Sequence, residues 1–338
     1  MLRVAVLMGG RSSEHDISLA SARSVVDALD PERYAVREIE IGRDGRWELP
    51  AGEANLELGA EGHGLPVPAG DALPEPLGEI DVVFPVLHGP FGEDGTVQGL
   101  LELAGVAYVG AGVAASALSM DKDLFKSVMR DKGVPVARSL TVRRWDRAQV
   151  ESPFGFPVVV KPARLGSSVG ISIVRDPGEL EEAVELAFAH DEKILLEEFE
   201  GGIEVECGVL GNESPIASIP GEIVPLASDW YDFEAKYADG GMELVVPARI
   251  GEEAQARVQE LAVASFVAAD CEGMARVDFF VREDGEVLVN ELNTIPGFTA
   301  TSVYAKLFEA SGIAYPELLD RLIQLALDRR DRRGALKY

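Results

Sequence analysis

The residues best suited to chemistry lie between Arg276 and Ser302, where the chain reads RVDFFVREDGEVLVNELNTIPGFTATS. Two runs of strand-forming residues, 275–282 and 286–292, flank Asp284-Gly285, a strong signal for a two-residue hairpin turn. Such a turn sets Asp278 opposite Glu291 and Arg276 opposite Asn293. Strand side chains alternate, so these four share one face, and Val277, Phe279, Leu288 and Leu292 form the core face. Carboxylates directly opposite one another, with Cβ atoms ~4.5–5.5 Å apart, repel unless a cation sits between them. The oxygen donors of Asp278, Glu291 and Asn293 suit a hard ion such as Mg²⁺, which is usually shared with substrate phosphates.

Further upstream, Lys161-Pro-Ala-Arg-Leu-Gly-Ser-Ser-Val-Gly170 couples a strand-end lysine to a loop rich in glycine and hydroxyls. Gly166 and Gly170 allow close backbone approach to an anion, and Ser167 and Ser168 add donors. The spacing differs from a Walker A loop, in which lysine follows the second glycine. Lys122, just inside a helix, is a second cation for the same phosphates. Glu197 and Glu204 flank Gly201-Gly202 between two strands, where carboxylates can accept from a ribose or an amino group. Glu14 follows the strand-end Gly9-Gly10, and His88 follows another strand end, ahead of Gly92-Glu-Asp-Gly95. Both stand where parallel sheets hold their ligands. The loop Asp229-Trp-Tyr-Asp-Phe-Glu-Ala-Lys-Tyr237 carries the aromatic and charged residues of a lid that excludes water and delivers Lys236.

These residues need a frame, and the chain's 338 residues are enough for two or three domains with their own cores. Residues 1–112 alternate strand and helix (Leu2–Met8, Asp16–Leu29, Ala35–Ile41, then 80–87, 94–103 and 106–109), a βαβ rhythm that predicts a parallel sheet. An unperiodic Pro/Gly/Glu-rich stretch at 50–79 reads as a surface excursion. Residues 113–200 read as an α+β unit with an antiparallel sheet, and 201–338 as a second one containing the hairpin and a closing helix at 315–333. The basic ending, Arg329 to Arg333, suits a helix C-terminus.

The balance of 31 basic against 58 acidic residues, a net charge of −27, excludes nucleic acid and membrane surfaces as partners but not nucleotides. Cys207 and Cys271 match no metal-ligand spacing and read as buried thiols of a reducing compartment. No apolar run reaches the ~20 residues of a membrane span, so a soluble cytoplasmic protein is expected. A Rossmann-type oxidoreductase would need G-x-G-x-x-G after the first strand, and that motif is absent.

Taken together, Met8-Gly-Gly-Arg-Ser-Ser-Glu14, His88-Gly with Gly92-Glu-Asp-Gly95, Lys161-Pro with Gly166-Ser-Ser-Val-Gly170, Glu234-Ala-Lys-Tyr237, Arg276-Val-Asp278 and Asn290-Glu-Leu-Asn-Thr-Ile-Pro-Gly-Phe-Thr299 resemble the D-alanine–D-alanine ligases of the ATP-grasp superfamily. The six segments occur in the family's order. The resemblance implies an ATP-grasp fold, α/β and α+β, with an N-terminal Rossmann-like parallel-sheet domain and two subdomains gripping ATP. It implies that one D-alanine carboxylate takes the γ-phosphoryl group of ATP and that a second D-alanine's amine attacks the acyl phosphate, supplying a peptidoglycan precursor. By motif position, Asp278, Glu291 and Asn293 would hold two Mg²⁺ ions, with Mn²⁺ a possible substitute. Lys122, Lys161, Ser168 and Lys236 would meet the phosphates, and Glu197 and Glu204 the adenine and ribose. Glu14 would bind the first D-alanine's ammonium and hydrogen-bond with Ser167 and Tyr237. Arg276 and the Gly297 N–H would stabilise the oxyanion, and His88 and Ser302 would orient the second D-alanine. Tyr237 favours a dipeptide over a D-lactate ester, whereas Thr301 and Ala305 depart from a frequent His and Pro. A homodimer is the expected assembly.

Overall fold

A computed structural model describes residues 1–48, 80–145, 150–166, 169–226 and 241–337. The surface excursion, the whole aromatic loop from Asp229 to Tyr237, and Ser167 and Ser168 lie outside the described residues.

The N-terminal part contains β1 (Leu2–Gly9), α1 (His15–Ala28), β2 (Tyr34–Ile41), β3 (Trp47–Glu48), β4 (Val82–Pro85), α2 (Thr96–Leu103) and β5 (Ala107–Tyr108). Its sheet runs β3-β2-β1-β4-β5, parallel throughout except for the short antiparallel edge β3. A parallel sheet is covered on both faces, which is why β1 reads as a continuous apolar run from Val4 to Met8. Val4 and Val6 face Ala22 and Val25 of α1, whereas Ala5 and Leu7 face Val97 and Leu101 of α2.

Next come α3 (Val113–Met120), α4 (Lys122–Asp131), β6 (Ser139–Arg143), β7 (Val158–Pro162), β8 (Ser172–Val174), α5 (Leu180–His190) and β9 (Lys193–Glu198). These four strands form the antiparallel sheet β6-β9-β7-β8, with α5 packed on it. The remaining elements are β10 (Ile203–Gly211), β11 (Ile216–Ala217), β12 (Gly221–Pro225), β13 (Met242–Val245), α6 (Glu252–Ala268), β14 (Gly273–Val281), β15 (Val287–Asn293), α7 (Val303–Ala310) and α8 (Tyr315–Gly334). Their sheet runs β13-β12-β10-β14-β15, with β11 added to β10. Val258, Leu261, Ala262 and Phe266 of α6 cover one face. The other meets α7, and a Cβ on Gly208 would lie 2.7 Å from Phe308. The helices α3 and α7, each of eight residues, are too short for their period to stand out in sequence.

The hairpin departs from its expected construction. Asp278 does pair with Glu291, and Arg276 with Asn293. The turn, however, holds three residues, Glu283-Asp284-Gly285, closed by Arg282 N–H to Glu286 O at 2.9 Å with Gly285 at φ +87°. Alone, that extra residue would shift every pair by one. The register slips back between Asp278 and Phe279, which pairs with Val289, so Asn290 is the extra residue of a β-bulge. Two irregularities cancel, leaving the expected acid pair intact. Leu288 is consequently not on the core face with Phe279. It pairs with Phe280, and Val287, Val289 and Leu292 fill the core instead.

The closing helix returns to the first sheet, where Leu318, Leu322 and Ile323 join Val4 and Val6 in one core. Its basic end does more than suit a helix dipole. Arg329 is buried and donates to Gly110 O (2.5 Å) and Tyr108 O (2.7 Å), and Arg332 and Arg333 pair with Glu272. Both cysteines are buried free thiols, and burial pushes Cys207 up to about 12 and raises Cys271 as well, which disfavours the reactive thiolate at both.

Candidate active site

Charged residues gather in two clusters, the first of them on the β14–β15 hairpin. On its open face, one row of the sheet carries three carboxylates, Glu206 on β10, Asp278 on β14 and Glu291 on β15. Glu206 and Asp278 are 1% and 3% exposed, so their charges need partners within the protein. Arg276 Nε lies 3.0 Å from Glu206 and donates to Asp278 Oδ1 at 2.7 Å, while its Nη2 donates to Asp278 Oδ2 at 2.8 Å. Asn293 Nδ2 donates to the same carboxylate at 2.9 Å. Glu291 pairs with Lys122 Nζ at 3.0 Å. The repulsion expected between Asp278 and Glu291 is therefore offset by one cation at each.

Lys122 owes its place to the start of α4. Asp121 caps that helix by accepting from Leu124 N, and Lys193 binds Asp121 at 2.5 and 2.6 Å. The Lys122 N–H also donates to Ala163 O at 2.9 Å, tying this end to the segment after β7. Lys161 at the end of β7 reaches Glu197 on β9 at 2.9 Å and Asn290 at 3.5 Å. Behind it, Lys126 is wholly buried, 2.9 Å from the other oxygen of Glu197. Burial would raise the Glu197 carboxyl, but Lys126 and then Lys161 outweigh it and hold the group below its usual range. For Lys126 burial wins over the attraction of Glu197, and its pKa is lowered. Glu204 lies on β10 opposite Phe280.

The second cluster sits at the C-terminal ends of β1 and β4. Glu14 is buried at the start of α1, and a Cβ on Gly89, itself at φ +72°, would approach its Oε2 to 2.7 Å. Ser12 Oγ donates to His88 O at 2.7 Å and accepts from Glu14 N at 3.2 Å. His88 Nδ1 lies 3.0 Å from Ile295 O, and burial lowers its pKa despite the nearby Glu14. A carbonyl can only accept, so Nδ1 carries a proton and donates it to Ile295 O. Ile295 N–H in turn donates to Glu93 Oε1 at 3.0 Å. Phe298 anchors the following turn among Phe84, Tyr304 and Tyr315. Gly297 and Ser302 are adjacent, since a Cβ on Gly297 would sit 3.2 Å from Ser302 Oγ. Ser302 Oγ accepts from Thr299 N at 3.0 Å.

The sequence-derived residues thus separate into two groups, Lys122, Lys161, Glu197, Arg276, Asp278, Glu291 and Asn293 in one, Glu14, His88, Gly297 and Ser302 in the other. Sequence reasoning missed five neighbours. Glu206 is a third acid in a row that depends on long-range pairing of β10 with β14. Asn290 had a signal, because consecutive polar Asn290-Glu291 breaks the strand alternation and marks the bulge. Ser21 accepts from Phe298 N at 3.3 Å, and Lys126 and Glu93 complete the set.

Among the described residues no three or more His, Cys, Asp or Glu form a metal cage. Asp278, Glu291 and Asn293 are oxygen-bearing side chains of the kind that could hold a hard cation such as Mg²⁺. The three sheets, with Lys122 of α4 and Lys161 of β7 reaching the acidic hairpin, match the architecture expected of an ATP-grasp ligase.

The comparisons with known proteins agree. Residues 3–111 match the family model described as the D-ala D-ala ligase N-terminus, and 128–324 the corresponding C-terminus. The chain belongs to the D-alanine–D-alanine ligase family. It is 48% identical to the D-alanine–D-alanine ligase of Streptomyces coelicolor (97% of this chain, 93% of that one) and 48% to that of Deinococcus radiodurans (97% and 99%). Among solved structures it is similar to the VanG D-Ala:D-Ser ligase of Enterococcus faecalis, with a TM-score of 0.83, 35% identity and coverage of 96% of this chain and 99% of that one. The ligase of Bacillus anthracis complexed with ATP gives a TM-score of 0.78 at 28% identity, covering 99% of this chain and 100% of that one.

Proposed function

We infer that this protein joins two D-alanines into D-alanyl-D-alanine at the expense of ATP, forming a precursor for peptidoglycan. The observation that carries the reading is the facing of Arg276, Asp278, Glu291 and Asn293 toward Lys122 and Lys161. Phosphoryl transfer asks a protein mainly for positioning and charge stabilisation, and this group offers both without a nucleophilic side chain.

In this reading Lys122 and Lys161, with Lys236 and Ser168, bind the ATP phosphates, and Glu197 and Glu204 hold the adenine and ribose. Glu14 receives the first D-alanine's ammonium, with Ser167 and Tyr237 beside it, leaving its carboxylate to attack the γ-phosphorus as the bond to ADP breaks. Asp278, Glu291 and Asn293 are the residues that would hold Mg²⁺, which when bound neutralises phosphate charge. The second D-alanine is oriented by His88 and Ser302. Its deprotonated amine attacks the acyl carbon, Arg276 and the Gly297 N–H stabilise the oxyanion, and phosphate departs with one of the amine's protons as the peptide bond forms. Division at about residues 112 and 200 gives the substrate domain and two ATP-gripping subdomains. No helix among the described residues is long and apolar enough to cross a membrane, and a cytoplasmic homodimer is the proposed setting.

Phosphate release from ATP, measured with D-alanine, D-serine, L-alanine or D-lactate offered as the acceptor, tests the assignment. D-alanine alone should support turnover and yield the dipeptide. Preference for D-serine, as in the VanG relative, would change the second substrate, and release indifferent to D-alanine would overturn the function.

A further inference from the structure

The motif Gly92-Glu-Asp-Gly95 has no part in the chemistry above, yet its glutamate joins the two halves of the substrate site. Glu93 Oε2 accepts from Gly89 N at 2.8 Å, in the loop that carries His88. Its other oxygen accepts from Ile295 N at 3.0 Å, and Ile295 O faces His88 Nδ1 at 3.0 Å. The two peptide groups flanking Ile295 are therefore both gripped by the 88–93 loop. Two residues further on is Gly297. The side chains of Ile295 and Phe298 are sunk in the core shared by the first sheet and the closing helix, which fixes the depth of this turn. Apolar anchors leave the tilt of a peptide plane free, whereas hydrogen bonds to its N–H and C=O do not.

We propose that Glu93 is a positioning residue for peptide-bond formation, holding the 294–298 turn so that the Gly297 N–H points at the developing oxyanion. The inference rests on the assignment of Gly297 and Arg276 as the oxyanion donors. Both partners are N–H donors, so both oxygens accept only when the group is ionised, a state that burial and Glu14 oppose until about pH 8, and the variants are therefore compared above that pH. Glutamine has the same length but would turn its own NH₂ toward one of them. Aspartate keeps the charge on a stem one methylene shorter and can satisfy only one.

The test uses the full-length protein and Glu93→Gln, Glu93→Asp and Arg276→Ala. Each is assayed for kcat, KM for ATP, and affinity for a phosphinate mimicking the tetrahedral adduct of two D-alanines, which should respond as the transition state does. Displacing a positioned group by an ångström can cost about 10²-fold. Glu93→Gln should therefore lose about 10²-fold in kcat and a similar factor in phosphinate affinity, with KM for ATP unchanged within about twofold, and Glu93→Asp should lose less. If Arg276→Ala shows those losses while Glu93→Gln stays within threefold of wild type, the proposal fails and the oxyanion reading stands. If Arg276→Ala is also unaffected, that reading fails and takes the proposal with it. Loss of ATP affinity in step with kcat, or failure of both Glu93 variants to fold, would make Glu93 a scaffold residue and overturn the proposal.

Discussion

The hairpin face and the cluster around Glu14 differ in how they are held. The hairpin residues lie on three neighbouring strands, and the ladder itself sets Glu206, Asp278 and Glu291 in a row. Around Glu14 nothing comes from a ladder. Loops after β1 and β4 meet the turn after β15 through single hydrogen bonds, such as Ile295 N–H to Glu93 across 202 residues. Charge dominates the first region, and backbone orientation the second. Loss of a proposed metal or phosphate residue in the first should therefore abolish ATP chemistry, whereas loss of Arg276, or of His88, Ser302 or the support of Gly297 in the second, should let ATP react and spoil the peptide-bond step.

The largest effect is expected at Asp278. Asp278→Ala removes a proposed metal ligand and the carboxylate that holds Arg276 on this face, so ATP cleavage in the presence of D-alanine should fall at least about 10³-fold. A residual rate within tenfold of wild type would break the comparison. Arg276→Ala should come next, with kcat reduced about 10²–10³-fold and KM for ATP little changed, the size expected for one lost oxyanion donor. Steady-state kinetics at saturating D-alanine checks this, and a loss expressed in KM would reassign Arg276 to ATP binding.

Legibility in the sequence divides along the same line. The hairpin was readable because its two strands are contiguous and Asp284-Gly285 marks the turn. Even so, its pairing is correct for a reason the sequence reading did not contain. The three-residue turn and the bulge at Asn290 cancel, and only the polar pair Asn290-Glu291 hinted at the second. Lys161 and Lys122 were found from their loop and helix, but Lys126 was not, since an apolar-face lysine in α4 reveals its partner only once β9 is in place. Around Glu14 the motifs located the residues without their connections. Nothing local joins Glu93 to Ile295 or Ser21 to Phe298, and those contacts required the folded chain.

Smaller effects sharpen the second region. Ser21→Ala deletes the acceptor for Phe298 N–H, a bond worth about 1 kcal/mol net, so a modest drop in Tm with a three- to tenfold loss of kcat is expected. An unchanged kcat would mean that this turn tolerates tilting.

The last effect concerns pH and is read in stability rather than in rate. Burial, and then the neighbouring charge of Glu14, push the Glu93 carboxyl from its ordinary 4.5 up to about 8. A group raised on folding stabilises the native state fully below its unfolded pKa, and that contribution is lost as pH rises through the folded value. Tm should therefore decline between about pH 4.5 and 8. The decline should be shallower in Glu14→Gln, which removes the repelling charge, and shallower still in Glu93→Gln. Identical slopes in all three proteins would assign the decline to other groups.

The division between the two regions is tested most directly by counting products in one reaction, phosphate released against dipeptide formed, for wild type, Asp278→Ala and Glu93→Gln. One phosphate per dipeptide is expected in wild type and hardly any of either product in Asp278→Ala. In Glu93→Gln phosphate should exceed dipeptide, because the acyl phosphate forms and is lost to water before the peptide bond is made. Equal, coupled losses of both products in the two variants would contradict the division.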